Sequence, residues 1–191
     1  MIVIITSRAI CPEPLPERLR KIAPAKPDLV VLREPDLTDA QYRALALECL
    51  GALSPHSVPL AVHSRPAIAA ELGVKWLWTP FAERGANTAG ANTAGTAKIV
   101  SVHNAAEAVA AAEAGARYVV AGNIYRTPCK PGAPARGLRF LRGIVRASPI
   151  PVLAIGGINR DNFRDCIAAG AAGVCIMTSA MTFTDTFPIP Q

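Results

Sequence analysis

The sequence predicts a (β/α)8 barrel, and three observations carry that prediction. Eight short apolar runs recur along the 191 residues, and most are followed by a segment with helical spacing. The runs are rich in β-branched residues and show no polar alternation, the pattern of strands buried on both faces of a helix-covered parallel sheet. Eight is also the strand number that closes such a sheet on itself. The composition agrees: 51% of residues are hydrophobic, only 5% aromatic and 18% charged, with Ala, Val, Ile and Leu dominant. A chain of this length buries a full core as one domain, expected to span 1–191.

Taken in order, strands are expected at 2–6, 28–33, 58–62, 74–78, 98–102, 117–121, 151–155 and 173–177. Helices are expected at 17–22, 39–53, 66–72, 105–114, 138–147 and 162–169. Thr38 is a suitable N-cap for the second helix, and Gly115 and Gly170 are suitable stops after later ones. The seventh run, Pro151-Val-Leu-Ala-Ile-Gly-Gly-Ile-Asn159, ends at two glycines followed by the N-cap types Asn159 and Asp161. Without Cβ atoms, Gly156 and Gly157 let backbone N–H groups approach an oxyanion, an arrangement suited to phosphate; they also suit a tight strand-to-helix turn.

Two regions break the alternation. Ala86-Asn-Thr-Ala-Gly90 is repeated as Ala91-Asn-Thr-Ala-Gly95, a duplicated surface loop or a lid over the site. After the eighth strand, the prolines of 182–191 argue against a full final helix, so the last helix is short or missing. The apolar surface this leaves beside the first and last strands calls for cover by Phe183, Phe187 or a second subunit, and a homodimer is the expectation.

The formal charge of +6 is spread along the chain without a basic run or interleaved aromatics, which argues against nucleic acid as a partner. Arg139, Arg142 and Arg146 share one face of a predicted helix, opposite Phe140, Leu141, Ile144 and Val145, as a solvated face does. Five cysteines, an odd number with no C-x-x-C pair, indicate a reduced, cytoplasmic setting and no metal site. Met1 leads straight into Ile2-Val-Ile-Ile5 rather than a signal peptide, and no apolar run is long enough for a membrane span. No cofactor is called for.

In a barrel of this kind the site lies at the strands' C-terminal ends. That placement selects Thr6, Ser7 and Arg8; Arg33 and Glu34; His63 and Ser64; His103 and Asn104; Asn123 and Tyr125; Gly156 and Gly157; and Thr178 and Ser179. Phosphate is expected between the loops after strands seven and eight, on N–H groups near Gly156, Gly157, Ser179 and Ala180, although Thr178 and Ser179 can instead begin a short last turn. Arg33 and Glu34 are adjacent, so only one of them can face the barrel mouth.

These residues carry a family resemblance. Val31-Leu-Arg-Glu34, Ser101-Val-His103, the run from Tyr118 through Thr127-Pro-Cys-Lys130 to Arg136-Gly137, and Ala154-Ile-Gly-Gly157 resemble the thiamine phosphate synthase and TenI group of barrels. The block from Gly122 to Gly137 is most similar to the TenI-like thiazole tautomerase branch. The resemblance implies a small phosphorylated heterocycle, a thiazole phosphate of thiamine biosynthesis, as partner, and metal-free proton transfer as chemistry. Lys130 then adds charge, while Glu34 and His103 face the ring and Arg33 and His63 contact substrate.

Two departures matter. Synthases resemble one another in a lysine after the Arg-Glu pair and in Mg²⁺-binding aspartates after strands three and four; here stand Pro35, His63-Ser-Arg-Pro66 and Thr79-Pro-Phe-Ala-Glu83. The tautomerase branch has an acid/base histidine where this chain has Asn123, and an amide carries no proton near neutral pH. His103, His63 or Glu34 then takes the role. The alternatives are a thiamine phosphate synthase, joining a pyrimidine pyrophosphate to the thiazole phosphate, and a non-catalytic phosphate-ligand-binding barrel.

Overall fold

The computed structural model describes residues 1–83, 95–129 and 132–184. The strands are β1 (Ile2–Ile5), β2 (Leu29–Leu32), β3 (Leu60–His63), β4 (Trp76–Pro80), β5 (Ala97–Val102), β6 (Ala116–Gly122), β7 (Val152–Ile155) and β8 (Gly173–Ile176). They close into a barrel in sequence order. The helices are α1 (Leu15–Ile22), α2 (Asp39–Leu53), α3 (Pro66–Glu71), α4 (Ala105–Glu113), α5 (Gly137–Ala147), α6 (Phe163–Ala168) and α7 (Thr178–Thr182). The fold is the predicted (β/α)8 barrel, and every expected strand lies within two residues of its predicted bounds.

The small offsets have local causes. Pro59 has no N–H to give a ladder, so β3 begins after it, at Leu60. The N–H of Val74 donates to Ala69 O at the end of α3, which delays β4 to Trp76. The last helix, α7, is the short one anticipated, at five residues.

Contacts group the chain into two compact units. One holds Ile2–Leu77 and the segment from Met177; the other holds Met1, the segment from Trp78 and the run from Ala97 to Ile176. In the first, β1, β2 and β3 pair in parallel with Ile5 opposite Val31 and Leu32 opposite Val62. Every residue of β2 is buried, as its unbroken apolar run requires. Thr38 caps α2 in a full capping box: its hydroxyl accepts from Gln41 N, and the Gln41 side chain accepts from Thr38 N.

Tyr42, 1% exposed, carries a hydroxyl that α2 drives into this core. Its hydroxyl donates to Leu32 O and accepts from His63 N at 3.2 Å, so it bridges the ends of β2 and β3. Arg18 of α1, 3% exposed, donates to Phe183 O at 2.7 Å and stacks its guanidinium 4.4 Å from the Phe183 ring. Its Nε lies 2.8 Å from Glu13 Oε1, off the hydrogen-bond axis, as an ion pair. The start of the C-terminal tail thus folds back through Phe183; Phe187 lies outside the described residues.

In the second unit, β5 to β8 pair in parallel, with Val119 opposite Val152 and Leu153 opposite Gly173. Asn104 caps α4 by accepting from Glu107 N at 2.8 Å. Val174 N donates to Met1 O, and a Cβ on Gly173 would lie 2.3 Å from that same oxygen, so glycine is required there.

Tyr42→Phe removes both bonds of the bridging hydroxyl and leaves a buried carbonyl without a donor. The variant should lose about 1–3 kcal/mol of stability in urea unfolding; a loss below about 0.5 kcal/mol would mean the bridge is redundant.

Candidate functional site

At the end of β1, the Thr6 side chain is fully buried and ties two strands together: its hydroxyl donates to Glu34 Oε1 at 2.7 Å and accepts from Arg33 N at 3.0 Å. Glu34, 4% exposed, also accepts from Arg8 N at 3.1 Å to each oxygen and has Arg8 Nε at 3.5 Å. Arg8 reaches on to Asp36. Just past β2, Glu34 is buried and Arg33 exposed. The carboxylate of Glu34 is saturated with donors, so its local work is to hold the turn after β1 against β2.

His63 closes β3, and the ladder places it next to Arg33, one step beyond the Leu32–Val62 pair. Burial, with the Arg33 and Arg65 guanidinium charges adding to it, lowers the His63 pKa to about 4, so the imidazole is neutral at pH 7. Ser64 takes a left-handed turn at φ 54°. Arg65 then lies 4.5 Å over the Tyr42 ring, bonded to Leu37 O and ion-paired with Asp39. Burial also raises the Tyr42 pKa, which keeps the bridging hydroxyl protonated.

In the other unit, His103 follows β5 with a side chain 58% exposed. Glu107 Oε2 accepts from its backbone N at 2.7 Å and lies 3.1 Å from Nδ1, while Oε1 accepts from Asn104 Nδ2.

Asn123, after β6, is 6% exposed. Its Nδ2 donates to Tyr125 O at 3.3 Å and Pro134 O at 3.4 Å, and its own carbonyl accepts from Arg136 N at 3.0 Å. Both amide hydrogens therefore clamp the loop that runs toward α5. A neutral imidazole has one N–H and could not make both bonds.

Past β7, the β6–β7 ladder continues through Ile124 N to Ile155 O and Tyr125 N to Gly156 O, both 2.9 Å. Gly156 (φ 101°) and Gly157 (φ 64°) are needed for this contact: a Cβ would lie 2.5 Å from Asn123 Cβ at the first and 2.3 Å from Arg126 O at the second. A larger residue at Gly157 would therefore displace the loop after β6. Asn162 stitches the turn, accepting from Asn159 N at 2.9 Å and donating to Gly157 O at 3.0 Å, and Asn159 Oδ1 accepts from Asp161 N at 2.8 Å. Among the described residues, the N–H groups of Gly157 and Ile158 have no hydrogen-bond partner.

Ser179 is half-buried and Ala180 buried, both within α7. Lys130 and nearly all of the duplicated loop 86–95 lie outside the described residues. Sequence reasoning missed three positioning side chains: Tyr42, Glu107 and Asn162. Only Tyr42 left a signal, an aromatic hydroxyl on the apolar side of a helix, where it needs a partner.

The donor set does not fit the Mg²⁺ that synthase resemblance implies. The loop after β3 presents Ser64 and the cation Arg65, and the described part of the loop after β4 offers one carboxylate, Glu83. Asp36 and Asp39 are each bound to an arginine. Among the described residues no three His, Cys, Asp or Glu side chains converge as metal ligands.

A family profile described as thiamine monophosphate synthase (TMP-TENI) matches residues 2–180. A thiamine-phosphate synthase of Listeria monocytogenes serotype 4a is 35% identical over 152 residues, 78% of this chain and 71% of that protein. One from Pyrococcus furiosus is 41% identical over 85 residues, 44% of this chain and 41% of that protein. The solved structure of a thiamine phosphate pyrophosphorylase from Pyrococcus furiosus superposes with a TM-score of 0.81 at 25% identity, covering 96% of this chain and 88% of that one. These matches support the superfamily and favour the synthase alternative over the tautomerase branch that the loop after β6 suggested.

The lowered pKa of His63 has a consequence for acid stability. The unfolded chain takes up a proton near the ordinary value of 6.5, while the folded chain resists until about 4. Stability should be unaffected by this group above pH 6.5 and should fall as pH drops from there toward 4. His63→Gln, compared with wild type by urea unfolding at several pH values, should show a shallower fall; an identical slope would mean His63 titrates normally.

Proposed function

The chain belongs to the thiamine monophosphate synthase family, and on that premise we propose that it binds a thiazole phosphate and joins it to a pyrimidine pyrophosphate, yielding thiamine phosphate and pyrophosphate. The observation that carries this reading is the environment of Asn123. At the position where the tautomerase branch resembles itself in an acid/base histidine, this chain has a buried amide whose hydrogens both hold backbone carbonyls. That leaves the family's condensation as the chemistry its relatives' names support.

In this reading the N–H groups of Gly157 and Ile158 receive phosphate, with Gly156 holding the turn open; Ser179, Ala180 and Lys130 stay phosphate-binding candidates on sequence grounds alone. Arg33 and His63 face the second substrate. Glu34 acts through Thr6 and Arg8 as a positioning residue. A homodimer remains part of the proposal, tested by sedimentation.

The second reading, tautomerisation of a thiazole phosphate, is favoured by one observation: Glu107 lies beside His103 Nδ1, an arrangement that leaves Nε2 to exchange a proton. Incubating the protein with both substrates and following thiamine phosphate by chromatography separates the two. The synthase reading expects product; no product, together with isomerisation of the thiazole phosphate alone that His103→Gln slows by roughly a hundredfold, would replace it with the second.

A further inference from the structure

We propose that α7 and Phe183 form a strap, locked by the buried Arg18 of α1, whose opening sets the rate at which ligand enters and leaves the barrel beside the turn after β1. The lock follows from the geometry of α1 and α7 alone. The ligand it governs, a thiazole phosphate, rests on the reading above.

α7 has little stability of its own. It is five residues long, three of them Thr or Ser, and no side chain caps its start. Within it, the Thr182 hydroxyl donates to Thr178 O at 2.9 Å. Its remaining support is tertiary: Ala180 and Met181 are fully buried, and the helix packs against the Arg8–Ile10 turn that follows β1. At Phe183 the backbone becomes extended, with φ −63° and ψ 151°, and the helix stops.

One guanidinium secures that end in three ways. Arg18 Nη1 donates to Phe183 O at 2.7 Å, its Cζ lies 4.4 Å from the centre of the Phe183 ring, and its Nε meets Glu13 Oε1 at 2.8 Å. Lys21 engages the same carboxylate. The Arg18 side chain is only 4% exposed, so its charge is kept from water and is costly to hold there unless these partners are in place. Lifting Phe183 away removes two of the three, and Arg18 therefore resists opening. The task suits arginine: a planar guanidinium offers one edge to a carbonyl, another to a carboxylate and a face to a ring, whereas an ammonium is a point charge. Because α7 starts two residues after β8, at the strand end where sites of this fold lie, Arg18 acts on ligand exchange as a positioning residue, through Phe183.

Hydrogen exchange read by mass spectrometry over residues 177–184 tests the lock. Arg18→Lys should speed exchange there by about tenfold or more and leave β2 and β3 unchanged; Phe183→Leu, which keeps the carbonyl and leaves α1 untouched, should do so to a smaller degree and serves if Arg18→Lys fails to fold. Surface plasmon resonance with thiazole phosphate then reads the gate. In Arg18→Lys the association and dissociation rate constants should rise together, by about threefold or more, with Kd kept within about twofold. Unchanged exchange over 177–184, exchange raised equally throughout the chain, or a rise in dissociation alone would overturn the inference. Should the wild-type protein bind no thiazole phosphate, the reading above falls, and the exchange result, which needs no ligand, decides the strap by itself.

Discussion

A parallel strand that ends beside another leaves backbone groups pointing past the last rung of the ladder, and burial makes each of them costly unless something answers it. In this protein side chains answer them. Tyr42 places one hydroxyl between Leu32 O and His63 N. Thr6 and Glu34 between them take up Arg33 N and Arg8 N. Asn123 holds the carbonyls of Tyr125 and Pro134, and Asn162 holds both Asn159 N and Gly157 O. The strand ends are therefore fixed before any ligand arrives.

That constraint decides which groups are left for chemistry. Glu34, an acid/base candidate by position, and Asn123, which stands where the tautomerase branch has its histidine, are both consumed in holding loops. His63 is neutral at pH 7 because burial and two guanidinium groups disfavour its charge. Among the described residues, His103 stays exposed beside Glu107, and the Gly157 and Ile158 N–H groups have no hydrogen-bond partner. The close approach of β7 to the loop after β6 forbids a Cβ at both Gly156 and Gly157.

The fold was legible because its signals are periodic and local. Uninterrupted apolar runs marked the strands, Thr38 marked the start of α2 with a capping box, and the prolines after 182 marked a short last helix. Pro59 and the Val74 N–H shifted two strand starts in ways that a hydropathy pattern does not register. The site was legible only as a set of positions. That Asn123 clamps a loop, or that Glu107 backs His103, depends on partners eleven and four residues away in the chain and on which hydrogens are already engaged. The family was readable from Val31 to Glu34 and from the Ala154–Gly157 run; the branch was not, because the block from Gly122 to Gly137 resembles one branch while the whole-chain matches bear the name of the other.

The central claim is that satisfying the strand ends leaves the N–H groups after β7 to receive a phosphate. A crystal structure of the protein with thiazole phosphate tests it most directly. The account predicts phosphate oxygens within about 3.2 Å of the Gly157 and Ile158 nitrogens, with the Asn123 and Asn162 bonds unchanged. Phosphate bound away from those nitrogens, or an Asn123 side chain that leaves its carbonyls to meet the ligand, would contradict it.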